Sequence, residues 1–415
     1  MRRRMKRRDF IKTGIGAGMA GIAAGCRTGQ KTVDYPQLDQ ALQKPLLHFE
    51  SLTHPVTVES IELLKYRGVH FLCARSSEGH FGISVPNGKI EHLYPILFHL
   101  VVPYFIGKDA RTLESLIEGV YVYQSNYKMS SLALWCPVAW VEFALLDLLG
   151  RAVNRHVSDL FGGQVRSEIP IYVASGNRDT TAEKEVNILK KLIQETGAKA
   201  VKFKVGGRMS KDADSMAGRS ERLIELSRKE LGSGVAIQAD ANGSYGVSKA
   251  VEIGKRLEAI DAHLFEEPCP FDWLDETKRV ADTLDIFVSG GEQESSEHRF
   301  RWMVRNRAVQ VVQPDLHYYG GFIRSTRVAR MAAEAGMAVT PHISGGDIGY
   351  ADMANFCSYT PNIGRFHEFK GGTEKTGDLF DPPLRVRDGM LNVPKGPGMG
   401  IARAEEMLRK AKKLY

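Results

Sequence analysis

Ala200-Val201-Lys202-Phe203-Lys204-Val205 is a short run of β-formers carrying two lysines one residue apart. Alternation along a strand puts both lysines on one face and Phe203 on the other, so Lys202 and Lys204 point inward while Phe203 packs outward against helices. Similar runs stand on either side of it: Ile169 to Ala174 before, then Val235 to Ala239, His263 to Glu266, Asp285 to Ser289, Val309 to Gln313, Ala338 to Pro341 and Arg365 to Phe369. Longer amphipathic stretches separate them, which is the pattern of consecutive βα units and a parallel sheet. Eight units in about 200 residues match a (β/α)8 barrel, whose chemistry sits at the C-terminal ends of its strands. The last barrel helix is expected to be shortened or displaced.

Polar residues fall where these runs end: Lys202 and Lys204, then Asp240, Glu266, Glu292, Asp315, His342 and Glu368. From Lys204 onward they are spaced by 36, 26, 26, 23, 27 and 26 residues, one βα unit per step. All are therefore expected at one rim, facing one pocket. A single charged residue after a strand is ordinarily a solvated loop residue or a helix cap. The register of the whole set is what distinguishes these.

Asp240, Glu266 and Glu292 come from neighbouring strands, and like charges about 4 Å apart repel by roughly 4 kcal/mol per pair at an effective dielectric near 20. A cation is needed to hold them. Hard oxygen ligands without Cys or His favour Mg²⁺, with Mn²⁺ as the alternative and Zn²⁺ disfavoured. Lys204 is the candidate base and Lys202 the candidate stabiliser of an anionic oxygen, since a second cation and partial desolvation both lower an ammonium pKa. Asp315 and His342 lie on adjacent strands, where the carboxylate can fix the imidazole tautomer and leave the other ring nitrogen to exchange protons. His317, in a Leu-His-Tyr-Tyr-Gly-Gly loop, is expected to be structural or peripheral.

Before the barrel, Val56 to Tyr66 and Val69 to Ser77 predict a hairpin turning at Arg67-Gly68, and a further strand follows Glu78-Gly79. Pro137 to Ala152 has helical apolar spacing, and a short helix closes at Phe161-Gly162-Gly163. Residues 27–55 have the mixed composition of a linker. After the barrel, a Pro/Gly-rich turn and a basic helix at 393–415 are expected to return to the N-terminal domain.

The formal charge is +7, but residues 1–12 hold seven Lys/Arg against Asp9, and without the first 25 residues it falls to +1. A basic footprint for nucleic acid is then absent, apart from Arg409, Lys410, Lys412 and Lys413, which read as the solvated face of a helix. Residues 1–26 resemble an export signal, and Arg7-Arg8-Asp9-Phe10-Ile11 is similar to the twin-arginine type that carries folded proteins. The apolar stretch Thr13 to Gly25 is too short to span a bilayer. Ala23-Ala24-Gly25-Cys26 resembles a lipoprotein cleavage box with Cys26 as a lipid anchor, though Ala stands where Leu is usual. Periplasmic or membrane-anchored localisation is the expectation. The Gly16-x-Gly18-x-x-Gly21 match to a dinucleotide fingerprint lies inside this signal, with no strand before it. Cys73, Cys136, Cys269 and Cys357 show no metal or disulfide spacing and are expected as buried thiols.

The ordered set Lys202-Phe203-Lys204, Asp240-Ala241-Asn242, Phe265-Glu266-Glu267-Pro268, Gly290-Gly291-Glu292, Pro314-Asp315 and Pro341-His342 resembles the enolase superfamily, specifically its mandelate racemase group. The resemblance covers about 350 residues. It implies a (β/α)7β TIM-like barrel over 166–392 and an α+β capping domain from 56–165 and 393–415. It also implies one Mg²⁺ on Asp240, Glu266 and Glu292, bases at Lys204 and His342 with Asp315 behind the histidine, and a small-molecule carboxylate substrate contacted by Asn242. A protonated Glu368 is implied as hydrogen-bond donor to the substrate carboxylate, and a homo-oligomer as the assembly. Proton abstraction alpha to the carboxylate would lead to sugar-acid dehydration, or to racemisation or epimerisation; a non-catalytic acid-sugar binding protein is the reading of another class. The tight Arg67-Gly68 turn leaves the pocket open, so Tyr121 to Pro137, with Tyr123, Tyr127 and Trp135, is expected to supply a wall.

Overall fold

The computed structural model describes residues 32–49, 52–346, 348–373 and 376–415. The expected export signal, Cys26 and the glycine match at 16–21 lie outside the described residues.

An antiparallel meander opens the capping domain: β1 (Val58–Tyr66), β2 (Val69–Ser76) and β3 (Phe81–Ser84). The β1–β2 connection is the expected two-residue turn, with Arg67 and Gly68 at φ 49° and 83°, the left-handed backbone that lets strands reverse without splaying. Behind the meander runs the helix Leu132–Ala152, longer at its start than the Pro137 boundary expected from sequence, with Ser131 Oγ accepting from Ala133 N at 3.2 Å. Buried on almost every side, it is apolar around its whole circumference. Gly82 permits its close approach, since a Cβ there would lie 2.2 Å from Ala144 O.

Two acids interrupt this apolar helix, and each makes a junction. Asp147 accepts from Ile83 N at 2.8 Å and from Met399 N at 2.7 Å, joining the meander to the Pro/Gly-rich turn. Glu142 Oε1 accepts from Phe322 N at 2.5 Å and Ile323 N at 3.1 Å, satisfying the first turn of a barrel helix.

The barrel strands are β4 (Glu168–Ala174), β5 (Ala200–Lys204), β6 (Ala236–Asp240), β7 (Leu264–Glu266), β8 (Phe287–Gly290), β9 (Val311–Val312), β10 (Ala338–Val339) and β11 (His367–Phe369). Parallel ladders run in order from β4 to β10, and β11 pairs back onto β4. Between β10 and β11 the ring is bridged at Val339 and Ile363, with Val339 N to Asn362 O at 2.9 Å and Gly364 N to Val339 O at 2.8 Å. Seven helices, from Ala182–Thr196 through Gly349–Tyr359, alternate with the strands. Among the described residues no barrel helix follows β11, and a 3-10 turn stands at Gly377–Leu379. The architecture is a (β/α)7β barrel. Phe203 is fully buried on the helix side.

Two segments differ from the sequence-based expectation. Within 27–55, Tyr35–Gln43 is a helix with a capping box, Asp34 and Gln37 exchanging bonds of 2.9 Å. It docks on the barrel through buried Leu38 and an Arg301–Asp39 ion pair at 2.5 Å, so Tyr35–Gln43 is not free linker. At the other end, Lys412–Lys413 is not helical: after β12 (Val386–Arg387), β13 (Met390–Asn392) and the helix Ala404–Lys410, these residues form β14, antiparallel to β1.

Candidate active site

Strand register builds the site. Lys204, Asp240 and Glu266 are successive lateral neighbours on β5, β6 and β7, so their side chains emerge at one level. Glu292 follows β8 after Gly291, whose φ of 117° turns the chain inward. Carboxylate oxygens of Asp240, Glu266 and Glu292 lie within 4.8 Å of one another and all three residues are buried.

Two lysines answer part of this negative charge. Lys202 Nζ reaches Glu266 at 2.8 Å and Glu368 at 2.9 Å, and Lys204 Nζ contacts Asp240. Burial works against the Lys202 ammonium, yet Glu266 and Glu368 more than offset it and hold its pKa well above the usual lysine range. Lys202 is thus a fixed cation, as an oxyanion stabiliser must be. Glu266 Oε1 remains buried with no hydrogen-bond partner among the described residues, an orphaned hard donor in an all-carboxylate set that fits Mg²⁺.

On the far side, His342 Nδ1 faces Asp315 Oδ2 at 2.6 Å, while Nε2 points toward Glu292 at 3.4 Å. Asp315 Oδ1 is held by the backbone N–H groups of His317 and Tyr318 at 2.8 and 2.7 Å and by the Ser344 hydroxyl at 3.2 Å. Burial disfavours the imidazolium, but Glu292 and the bonded Asp315 outweigh it and push the His342 pKa up to about 9. These surroundings, Glu292 first among them, favour the protonated ring.

A cavity of about 360 Å³ opens over these groups, lined among others by Lys204, Asn242, Glu292, His342 and Glu368. Asn242 is at its edge, φ 42°, with its amide nitrogen 3.3 Å from Asp240 Oδ2 and its oxygen accepting from Arg178 at 2.9 Å.

The surroundings of Glu368 bear on one expectation, and the lining of the cavity corrects another. Glu368 is ionised: burial alone would raise its pKa, but Lys202, Lys370 and His342 surround it and hold it well below the usual carboxylate range. In that state it accepts from Lys202 and, at 2.5 Å, from Lys370, where the resemblance implied a protonated donor. The Tyr121 to Pro137 segment does not line the cavity. Trp135 is buried, stacked on Tyr121 at 5.5 Å under the Arg324 guanidinium, beside a separate cavity of about 310 Å³. Tyr318 and Tyr350 supply the aromatic wall instead.

His317 is buried and accepts from Trp140 Nε1 at 3.2 Å, a contact between cap and barrel. The four cysteines among the described residues are free and buried. Several neighbours escaped sequence reasoning. Lys370 and Ser344 each stand two residues beyond a rim residue, and alternation was the signal for both. Asn87, whose amide donates to Ser344 Oγ at 2.6 Å, arrives from the loop after β3 and left no such trace.

Residues 185–407 match the family described as Enolase C-terminal domain-like. The chain is 27% identical over 357 residues to arabinonate dehydratase of Saccharolobus solfataricus, covering 84% of this chain and 88% of that protein. It is 26% identical to D-galactarolactone cycloisomerase of Agrobacterium fabrum, over 77% of this chain and 83% of that one. A solved structure from Roseobacter denitrificans, provisionally assigned as a racemase, superposes with a TM-score of 0.79 at 32% identity, covering 86% of this chain and 99% of that one. A mandelate racemase/muconate lactonizing protein from Paracoccus denitrificans, complexed with magnesium, has the same fold, with a TM-score of 0.79 at 22% identity over 86% of this chain and 99% of that one. The chain belongs to the enolase superfamily, in its mandelate racemase-like group. It is an enzyme of that superfamily, with sugar-acid dehydratases and a cycloisomerase among its relatives.

Proposed function

We propose that the protein dehydrates a sugar acid with the help of Mg²⁺. The observation that carries this is the meeting of Lys204, the Asp315–His342 pair and the carboxylate triad around one cavity. Asp240, Glu266 and Glu292 would hold the ion, which when bound supplies electrostatic stabilisation to the substrate carboxylate. Lys204 takes the proton alpha to that carboxylate, and the electron pair moves into the carboxylate to give an enediolate. Lys202, a fixed cation, stabilises the charge as it develops. The electrons return to expel the beta hydroxyl, which leaves as water with the proton from His342 Nε2. The enol then tautomerises to the 2-keto-3-deoxy acid.

Racemisation or epimerisation uses the same two groups on opposite faces of the alpha carbon, and remains the second reading because Lys204 and His342 both line the cavity. Pure acid-sugar binding would need neither Lys204 nor the Asp315–His342 pair. The twin-arginine-like N-terminus supports export of the folded enzyme. Incubation with Mg²⁺ and a sugar-acid library in D₂O tests the proposal. A keto acid is the expected product; deuterium at the alpha carbon without keto acid would transfer the assignment to epimerisation, and tight binding with neither would leave only a binding protein.

A further inference from the structure

The inner lysines of the site have carboxylate partners, but two arginines farther out have none within ion-pair distance among the described residues. Lys202 and Lys204 meet Asp240, Glu266 and Glu368. Farther out, the connections after β4 and β5 bring two guanidinium groups, Arg178 and Arg208, to the same side of the mouth. Arg178 donates to neutral acceptors only, Gly206 O at 3.1 Å and Asn242 Oδ1 at 2.9 Å. Arg208 stands in the left-handed region, φ 62°, its backbone N–H bonded to Ser244 Oγ at 2.9 Å, and its side chain lines the cavity. Neither guanidinium has a carboxylate within ion-pair distance among the described residues. Burial disfavours the Arg178 cation and the charge of Asp240 supports it, while Arg208 is close enough to add to the disfavour.

An arginine at the mouth of a polar cavity, with no carboxylate within ion-pair distance, lowers its energy by binding an anion. A guanidinium fork matches a carboxylate or phosphate with paired N–H donors. The carboxylate beside the alpha carbon that loses its proton is already provided for by Lys202 and by the ion that the triad would hold, so it does not use this positive rim. Gln293, Tyr318 and Ser344 on the same cavity offer donors and acceptors to the hydroxyls in between.

We infer that the substrate is a sugar acid carrying a second anionic group remote from the reacting carboxylate, and that Arg208 binds that group with Arg178 behind it. The inference rests on the acid-sugar reading of the site and narrows it to dianions. Arg178 is a positioning residue, because its bond to Asn242 fixes the edge of the pocket. Arg208 is the specificity determinant, free to meet the ligand.

Calorimetric titration of the Mg²⁺-loaded full chain tests this with sugar diacids, the corresponding monoacids and their terminal phosphate esters, across stereoisomers. A dianion of one series should bind at least about tenfold tighter than its monoacid, and R208Q should reduce that ratio by about tenfold or more, the worth of a charge-assisted hydrogen bond. R208K, which keeps the charge without the fork, should retain more of the ratio than R208Q. Preference for diacids assigns a second carboxylate and preference for phosphate esters assigns a phosphate; either supports the inference. Equal binding of monoacids and dianions, or a full preference surviving in R208Q, overturns it, and monoacid dehydration by the same sample would leave the proposed reaction standing. A sample that binds and converts no acid overturns both.

Discussion

Asp315 Oδ2 stands 2.6 Å from His342 Nδ1, which turns Nε2 toward the triad and the cavity. Because Asp315 is itself held by two backbone N–H groups, the imidazole has one orientation. His342→Asn is expected to lower turnover by about 10²- to 10⁴-fold, and Asp315→Asn by at least about tenfold, both with circular dichroism spectra like the wild type. Wild-type rates in both would remove the histidine from the reaction.

The two lysines are expected to fail differently. Lys204→Ala abolishes alpha-proton exchange in D₂O while the protein stays folded. Lys202→Met, by contrast, strips a buried cation from Glu266 and Glu368, and breaking such a pair costs about 3–5 kcal/mol. Chemical denaturation of the metal-free variants measures this; equal stabilities would show that Lys202 is not the charge that holds the site together.

Removing the divalent ion should be felt as instability as well as inactivity. Asp240, Glu266 and Glu292 repel one another, and an ion at about a hundredfold its dissociation constant adds roughly 2.7 kcal/mol to the fold. Chelation is therefore expected to lower the melting midpoint, and Mg²⁺ to restore it. In Glu292→Gln the Mg²⁺-induced rise should shrink or vanish. A midpoint indifferent to chelator and Mg²⁺ would refute the metal centre.

Glu142 gives a pH-dependent term away from the site. Burial pushes its carboxyl up to about 8 from a usual 4.5, although Ile323 N and Phe322 N pull the other way. The folded chain then keeps a proton that the unfolded chain releases, so this contribution is full below about pH 4.5, falls as pH rises and is spent above about pH 8. The slope is at most about 1.4 kcal/mol per pH unit. Glu142→Gln, which keeps the acceptor for the helix N–H groups, should flatten it in denaturation curves taken across that range. An unchanged slope would place the titration elsewhere.

Most of the barrel and its rim was legible because a βα unit is a local repeat: one strand, one helix, one rim residue every 23 to 36 positions. Periodicity placed Lys204, Asp240, Glu266 and His342 without any knowledge of distance. What it could not give was charge state. Glu368 is ionised because Lys202, Lys370 and His342 converge on it from three different strands or loops, a sum that no local pattern displays. Trp135 failed for a related reason: an aromatic in a connecting segment can cover a pocket or stack beneath Arg324, and only the packing of the cap on the barrel decides. The docked helix Tyr35–Gln43 did leave a mark, Asp34 three residues before Gln37, which the mixed composition around it obscured.

The pairing of β14 with β1 constrains how the molecule is made. Leu64 and Lys65 are synthesised early, and the Lys413 and Lys412 that flank them emerge only after the whole barrel. The small sheet cannot be completed until the barrel has been made, so the first strands wait at an open edge for some 350 residues. A chaperone that shields that edge, or a C-terminal fusion that obstructs it, would act on assembly long before it touched catalysis.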